Sequence, residues 1–166
     1  MRTIIPTVFA MTVLSLSIAL GAAEKHPHAT THEHGHASKH ANFGQPGKAD
    51  QVQRTIEVKA LDTMRYDPQT FTVKAGETIR FVVTNVGQLK HEFIIGDPAE
   101  QRAHAEMMRK MPGMEHEDPN ALNLEPGETK TLIWQFGQAG VVEVACHVPG
   151  HYEAGMVAQV KVGELK

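Results

Sequence analysis

Val141-Val142-Glu143-Val144-Ala145-Cys146 and Met156-Val157-Ala158-Gln159-Val160-Lys161-Val162 are two alternating, β-branched runs joined by His147-Val148-Pro149-Gly150-His151-Tyr152-Glu153-Ala154-Gly155. Alternation with a period of two predicts a strand on each side, and the Pro149-Gly150 pair and Gly155 break the chain between them. The joining loop therefore gathers a thiol, an imidazole and a thioether within one short connection, at Cys146, His151 and Met156.

Upstream, further short runs read the same way. Residues 54–60, 70–73, 78–85, 92–95 and 129–136 are apolar, alternating or Thr-rich segments bounded by turn chemistry. Lys74-Ala75-Gly76-Glu77 and Glu125-Pro126-Gly127-Glu128 are similar turns before Thr-rich strands, and Asp67-Pro68 and 137–140 supply other breaks. This is the pattern of an all-β sandwich or barrel. One segment departs from it: within 97–119, Pro98 can open a helix and 99–110 is built from strong helix formers, which predicts a helical insertion ended by Pro112-Gly113.

At the start, Arg2, an apolar run over about 4–20 and the small residues Gly21-Ala22-Ala23 read as a signal peptide over 1–23. The run is close to the ~18 apolar residues of a spanning helix, so an uncleaved anchor is the competing reading. Pro6 and the small-residue exit favour cleavage, export to the periplasm and no stable membrane insertion afterwards. Residues 24–50 are rich in His, Ala, Gly, Lys and Thr and poor in large apolar side chains, which predicts a disordered His-rich tail. The folded domain is then 51–166.

Sixteen basic and 19 acidic residues, interleaved at a net charge of -3, give no stripe suited to phosphates and exclude nucleic acid as an expected partner. Eleven His and 8 Met against a single Cys point instead to soft or borderline metals. The lone Cys excludes both an internal disulfide and a copper centre bridged by two thiolates.

A copper ion that cycles between Cu(I) and Cu(II) is served by one thiolate, two imidazoles and a weak, long thioether bond. The loop supplies three of these groups. His91 is the best candidate for the second imidazole, because it follows Asn85-Val86-Gly87-Gln88 and directly precedes the apolar run 92–95, which places it at a strand end.

The Cys-x4-His-x4-Met spacing with an upstream His resembles the type 1 copper site of the cupredoxins, over roughly 52–166. The resemblance implies a Greek-key β-sandwich, with His91, Cys146 and His151 as equatorial ligands and Met156 as the axial one. It also implies outer-sphere electron transfer through the solvent-near edge of His151. With its His-rich start, the chain is most similar to the periplasmic cupredoxins of copper tolerance. Two departures stand out. Glu92 occupies the position where many members carry an Asn that ties the ligand loops together. Pro149 has no N–H to offer the sulfur, so other amides must do so.

Accessory copper binding is expected from His26, His28, His32, His34, His36 and His40 in the tail, where two or three imidazoles can close around one ion. In the insertion it is expected from His104, Met107, Met108, Met111, Met114 and His116, whose thioethers favour Cu(I). The structural alternative is a helix that packs its Met residues on the domain. His147 is expected to point away from the copper.

The function expected is periplasmic copper handling and tolerance, through redox interconversion or sequestration, with a redox partner protein. The alternative is a soluble electron carrier of the rusticyanin or azurin type. A copper oxidase or reductase comes third, because the domain shows no second ligand set with an open position; an electron-transfer or copper-binding protein is favoured over an enzyme.

Overall fold

The computed structural model describes residues 43–111, 117–138 and 140–164. Among these residues, ten strands form two five-stranded sheets that face one another across an apolar core.

The first sheet contains β1 (Gly44–Pro46), β2 (Arg54–Leu61), β3 (Arg65–Asp67), β5 (Thr78–Asn85) and β8 (Thr129–Phe136), in the order β1-β8-β5-β2-β3. The second contains β4 (Thr70–Lys74), β6 (His91–Gly96), β7 (Ala121–Leu124), β9 (Val141–Ala145) and β10 (Val157–Gly163), in the order β4-β10-β9-β6-β7. The chain passes repeatedly from one sheet to the other, and β2 with β5 and β4 with β10 pair in parallel. This is the β-sandwich expected, with one α-helix, α1 (Pro98–Lys110), between β6 and β7.

The alternation read in the sequence is the alternation of burial. Ile79, Phe81 and Val83 of β5 point inward, as do Trp134 and Phe136 of β8 and Ala158, Val160 and Val162 of β10. Phe81 lies at the centre, with ring centroids 5.4 Å from Phe93, 5.7 Å from Phe71 and 6.2 Å from Phe136. Strand β6 departs from the alternation and is buried along its whole length. One face meets the sandwich core, and α1 covers the other, where the Gln101 amide donates to Ile94 O at 3.0 Å and to Glu143 O at 3.3 Å. Asp97 caps the helix, its carboxylate accepting from the amides of Ala99 and Glu100 at 2.8 Å each.

Three strands have no counterpart among the expected ones. Strand β1 lies inside the stretch read as tail. Phe43 is buried there, its ring stacked on Trp134 at 5.5 Å, and Trp134 Nε1 donates to Phe43 O at 3.3 Å. The folded part of the chain thus begins at least as early as Phe43 rather than at residue 51, because one aromatic ring with a matching partner is enough to dock an otherwise polar segment. Strands β3 and β7 are three and four residues long, and their pairing with β2 and β6 is set by the neighbour rather than by their own sequence.

Candidate copper centre

Antiparallel pairing of β6 with β9 sets Ile94 opposite Ala145, which brings the start of β6 beside the end of β9. His91 is the first residue of β6, and Cys146 follows the last residue of β9. The connection from Cys146 to Met156 is folded back by its own backbone: His151 N donates to Val148 O at 2.9 Å, Ala154 N to Gly150 O at 3.1 Å, and Met156 N to His151 O at 3.0 Å. Cys146 N donates to Met156 O at 3.2 Å, which closes the loop. Gly155 takes a φ of 94°, a left-handed conformation that an L side chain resists.

Three donor atoms converge as a result. His91 Nδ1 and His151 Nδ1 are 3.2 Å apart, and Cys146 Sγ is 3.4 Å from His151 Nδ1. One ligand atom from each of the three residues lies within 4.8 Å of the others. His91 and Cys146 are fully buried, whereas His151 is partly exposed. Met156 is fully buried in the core, its backbone bonded to both Cys146 and His151. One thiol and two imidazole nitrogens, dry on one side, suit a metal with an affinity for sulfur and nitrogen in trigonal geometry, which is the chemistry of a type 1 copper.

A family model described as copper-binding proteins of the plastocyanin/azurin family matches residues 52–163. The chain belongs to that family. Among curated proteins it is similar to the copper-resistant cuproprotein CopI of Rubrivivax gelatinosus, 49% identical over 138 residues that cover 79% of this chain and 84% of that one. CopI of Pseudomonas aeruginosa is 39% identical over 149 residues, covering 72% and 82%. Among solved structures, dithionite-reduced auracyanin from Roseiflexus castenholzii superposes with a TM-score of 0.60 at 24% identity, over 68% of this chain and 98% of that one. Auracyanin B gives 0.58 at 21% identity, over 74% and 98%. At such identities the structural likeness concerns the fold. The protein is a cupredoxin, and copper is its metal.

In this cupredoxin Glu92 takes over the tie between the ligand loops. Its amide donates to Cys146 Sγ at 3.3 Å, and its carboxylate accepts from His147 N at 3.0 Å, so one residue clasps the thiol and the amide next to it. The carbonyl of Glu92 accepts from the buried Tyr66 hydroxyl. A second amide, that of Val148, also donates to the sulfur, one residue before the Pro149 that cannot. Burial pushes the Cys146 thiol up to about 12, against the pull of these two amides and with the added repulsion of the Glu92 charge.

His147 turns toward α1 and away from His91 and His151. Its Nε2 is 2.8 Å from Gln101 Oε1, and its ring stacks on Tyr152 at 5.0 Å and lies 5.3 Å from that of His104. Burial, with a smaller effect from His104, lowers its pKa to about 4. On the helix, His104 and Met108 are buried against the domain, so the thioethers and imidazoles of the insertion do not share one solvent-facing side. A spacing of four residues puts His104 and Met108 on the same inward stripe. Met107 is partly exposed and Met111 exposed. Met114, His116 and the tail residues His26, His28, His32, His34, His36 and His40 lie outside the described residues. No helix among the described residues is long and apolar enough to cross a membrane.

Two residues at the centre had no signal of their own in the sequence. Glu92 was noted only as a departure, and Asp62, whose Oδ1 lies 3.1 Å from His91 Nε2, sits 29 positions upstream in an unremarkable turn.

Proposed function

We propose that this cupredoxin is an exported, periplasmic copper-tolerance protein that holds one type 1 copper on His91, Cys146, His151 and Met156 and exchanges electrons by outer-sphere transfer. The convergence of His91 Nδ1, His151 Nδ1 and Cys146 Sγ is the observation that carries the reading. The copper resistance for which the CopI relatives are named supports the physiological part. When bound, copper supplies a one-electron couple between Cu(I) and Cu(II).

The protein's own groups do the rest. Cys146 would lose its proton on binding copper and supply the thiolate ligand. The buried His91 and the β6–β9 pairing fix the spacing of the donor atoms, so a bound copper would find its ligands already in place. His151, on the solvent side, is the port for a redox partner protein in the periplasm. Met156, buried beside these three residues, would be the fourth ligand, a thioether whose weak bond would adjust the potential. The His-rich tail collects copper, assisted by the partly exposed Met107 and by Met111, exposed just past the end of the helix.

Titration of the mature protein with Cu(II), followed by visible absorption and electron paramagnetic resonance, tests the site. A strong thiolate-to-copper band that Cys146→Ser abolishes is expected, and its absence from the native chain would count against the ligand set. The physiological part is tested by deleting the gene and restoring it with or without residues 24–42. A deletion that leaves copper tolerance intact while lowering a respiratory electron flux would favour the carrier role instead.

A further inference from the structure

Asp62 lies in the three-residue turn Asp62-Thr63-Met64 that joins β2 to β3. Met64 closes this turn with a left-handed φ of 59°, its amide donating to Leu61 O at 3.0 Å. The hairpin reaches both ligand-bearing loops. On one side Arg65 Nη1 donates to Ala154 O at 2.8 Å, inside the loop that runs from Cys146 to Met156. On the other side the Asp62 carboxylate accepts from the amides of Gln88 and Leu89 at 2.7 and 3.2 Å, in the turn just before His91. That turn is shaped around the carboxylate, since a Cβ on Gly87 would fall 1.9 Å from Asp62 Oδ1.

The same carboxylate oxygen lies 3.1 Å from His91 Nε2. An ionised carboxylate can only accept, so the proton of a neutral His91 resides on Nε2 and the lone pair on Nδ1. Nδ1 is the atom that faces His151 and Cys146.

We propose that Asp62 is a positioning residue for the copper site: it fixes His91 as the Nε2–H tautomer, presents a bare Nδ1 to the metal, and biases bound copper toward Cu(II). This rests on the ligand set proposed above. The bias follows from charge. A carboxylate hydrogen-bonded to the far side of an imidazole raises the basicity of the ligating nitrogen, and the doubly charged ion gains more from that than the singly charged one. Reduction of Cu(II) by one electron from a partner then becomes less favourable by the same amount. His91 is fully buried and bonded to the carboxylate whereas His151 is partly exposed, so the two imidazoles have unequal surroundings.

The test uses the full mature chain and three variants, Asp62→Asn, Asp62→Ala and Gly87→Ala. Nitrogen-15 NMR of the metal-free native protein is expected to find the His91 ring protonated at Nε2 and bare at Nδ1, with slow exchange of that proton. The pattern should be lost in Asp62→Ala. Competition titrations with Cu(II) and Cu(I) chelators are expected to show the ratio of Cu(II) to Cu(I) affinity falling by about tenfold in Asp62→Asn, equal to a rise of ~59 mV in potential. Gly87→Ala, which retains the carboxylate but displaces it, should shift the ratio in the same direction. A native His91 protonated at Nδ1, or an unchanged affinity ratio in Asp62→Asn, would overturn the proposal. Failure of the ligand set reads differently: the native chain then shows no thiolate-to-copper band, while the metal-free NMR pattern persists.

Discussion

Cys146 is held as a protonated thiol by a dry environment, although two amides point at its sulfur. Burial dominates, and the nearby Glu92 carboxylate works in the same direction. Because the thiol of the metal-free chain titrates only at about 12, copper must displace a proton at every ordinary pH. Apparent Cu(II) affinity is therefore expected to rise by about tenfold per unit between roughly pH 7 and 9. Chelator competition at several pH values measures that slope, and a flat profile would mean the thiol is not a ligand. Glu92→Gln retains an acceptor for His147 N but removes the charge, so the thiol should titrate at lower pH, read from its ultraviolet thiolate absorbance. Truncation by Glu92→Ala would leave the His147 amide without its acceptor in a buried place and cost about 1–3 kcal/mol, visible as a lower chemical-denaturation midpoint.

At the scale of elements, the ligand loop and the helix can be tested separately. Gly155 combines a φ of 94° with an approach to Arg65, whose Nη1 would lie 2.9 Å from an added Cβ. Gly155→Ala is expected to destabilise the fold by about 1–2 kcal/mol and to broaden the copper absorption band as the Met156 end of the loop shifts. A variant with native melting and an unaltered band would show that the loop tolerates the strain. The helix is a cover for β6 and a wall for His147, and its start depends on one carboxylate. Asp97→Ala should cost about 1 kcal/mol in thermal unfolding, with little effect on the copper spectrum. That contrast reflects topology: Arg65 pins the Cys146–Met156 loop directly, whereas α1 reaches the site by way of His147, through Gln101 and His104.

For the whole molecule, the unexpected member is the segment that begins at Phe43. Its ring closes the end of the sandwich over Trp134, and β1 extends the first sheet by pairing with β8. Phe43→Ala is expected to lose about 3 kcal/mol, and a chain started at residue 51 should melt below one started at residue 43. Equal melting of the two chains would show that β1 contributes nothing to the domain.

Long strands with a steady alternation were legible from sequence because burial repeats along them in step with the side chains, as at Ile79, Phe81 and Val83. Strand β6 was legible in part: its apolar run is plain, yet its burial on both faces depends on α1 lying across it. The short strands β1, β3 and β7 were not legible, since three or four residues carry no period and pair because a neighbour offers them an edge. The orientation of the helix was not legible for a different reason. A spacing of four puts His104 and Met108 on one stripe of the helix, but nothing in the spacing says which face meets the body of the protein.

Local order and chemistry were written in the chain itself: a Cys, a His and a Met set at fixed intervals between two strands, and a His at the head of a third. These are short-range facts, decided by chain connectivity and by the affinity of sulfur and imidazole for copper. Only the tertiary structure decided that Asp62 meets His91, that Glu92 clasps both ligand segments, and that Phe43 belongs to the fold. Each of those joins residues far apart in sequence, and such contacts exist only once two sheets have packed and brought their ends to one pole.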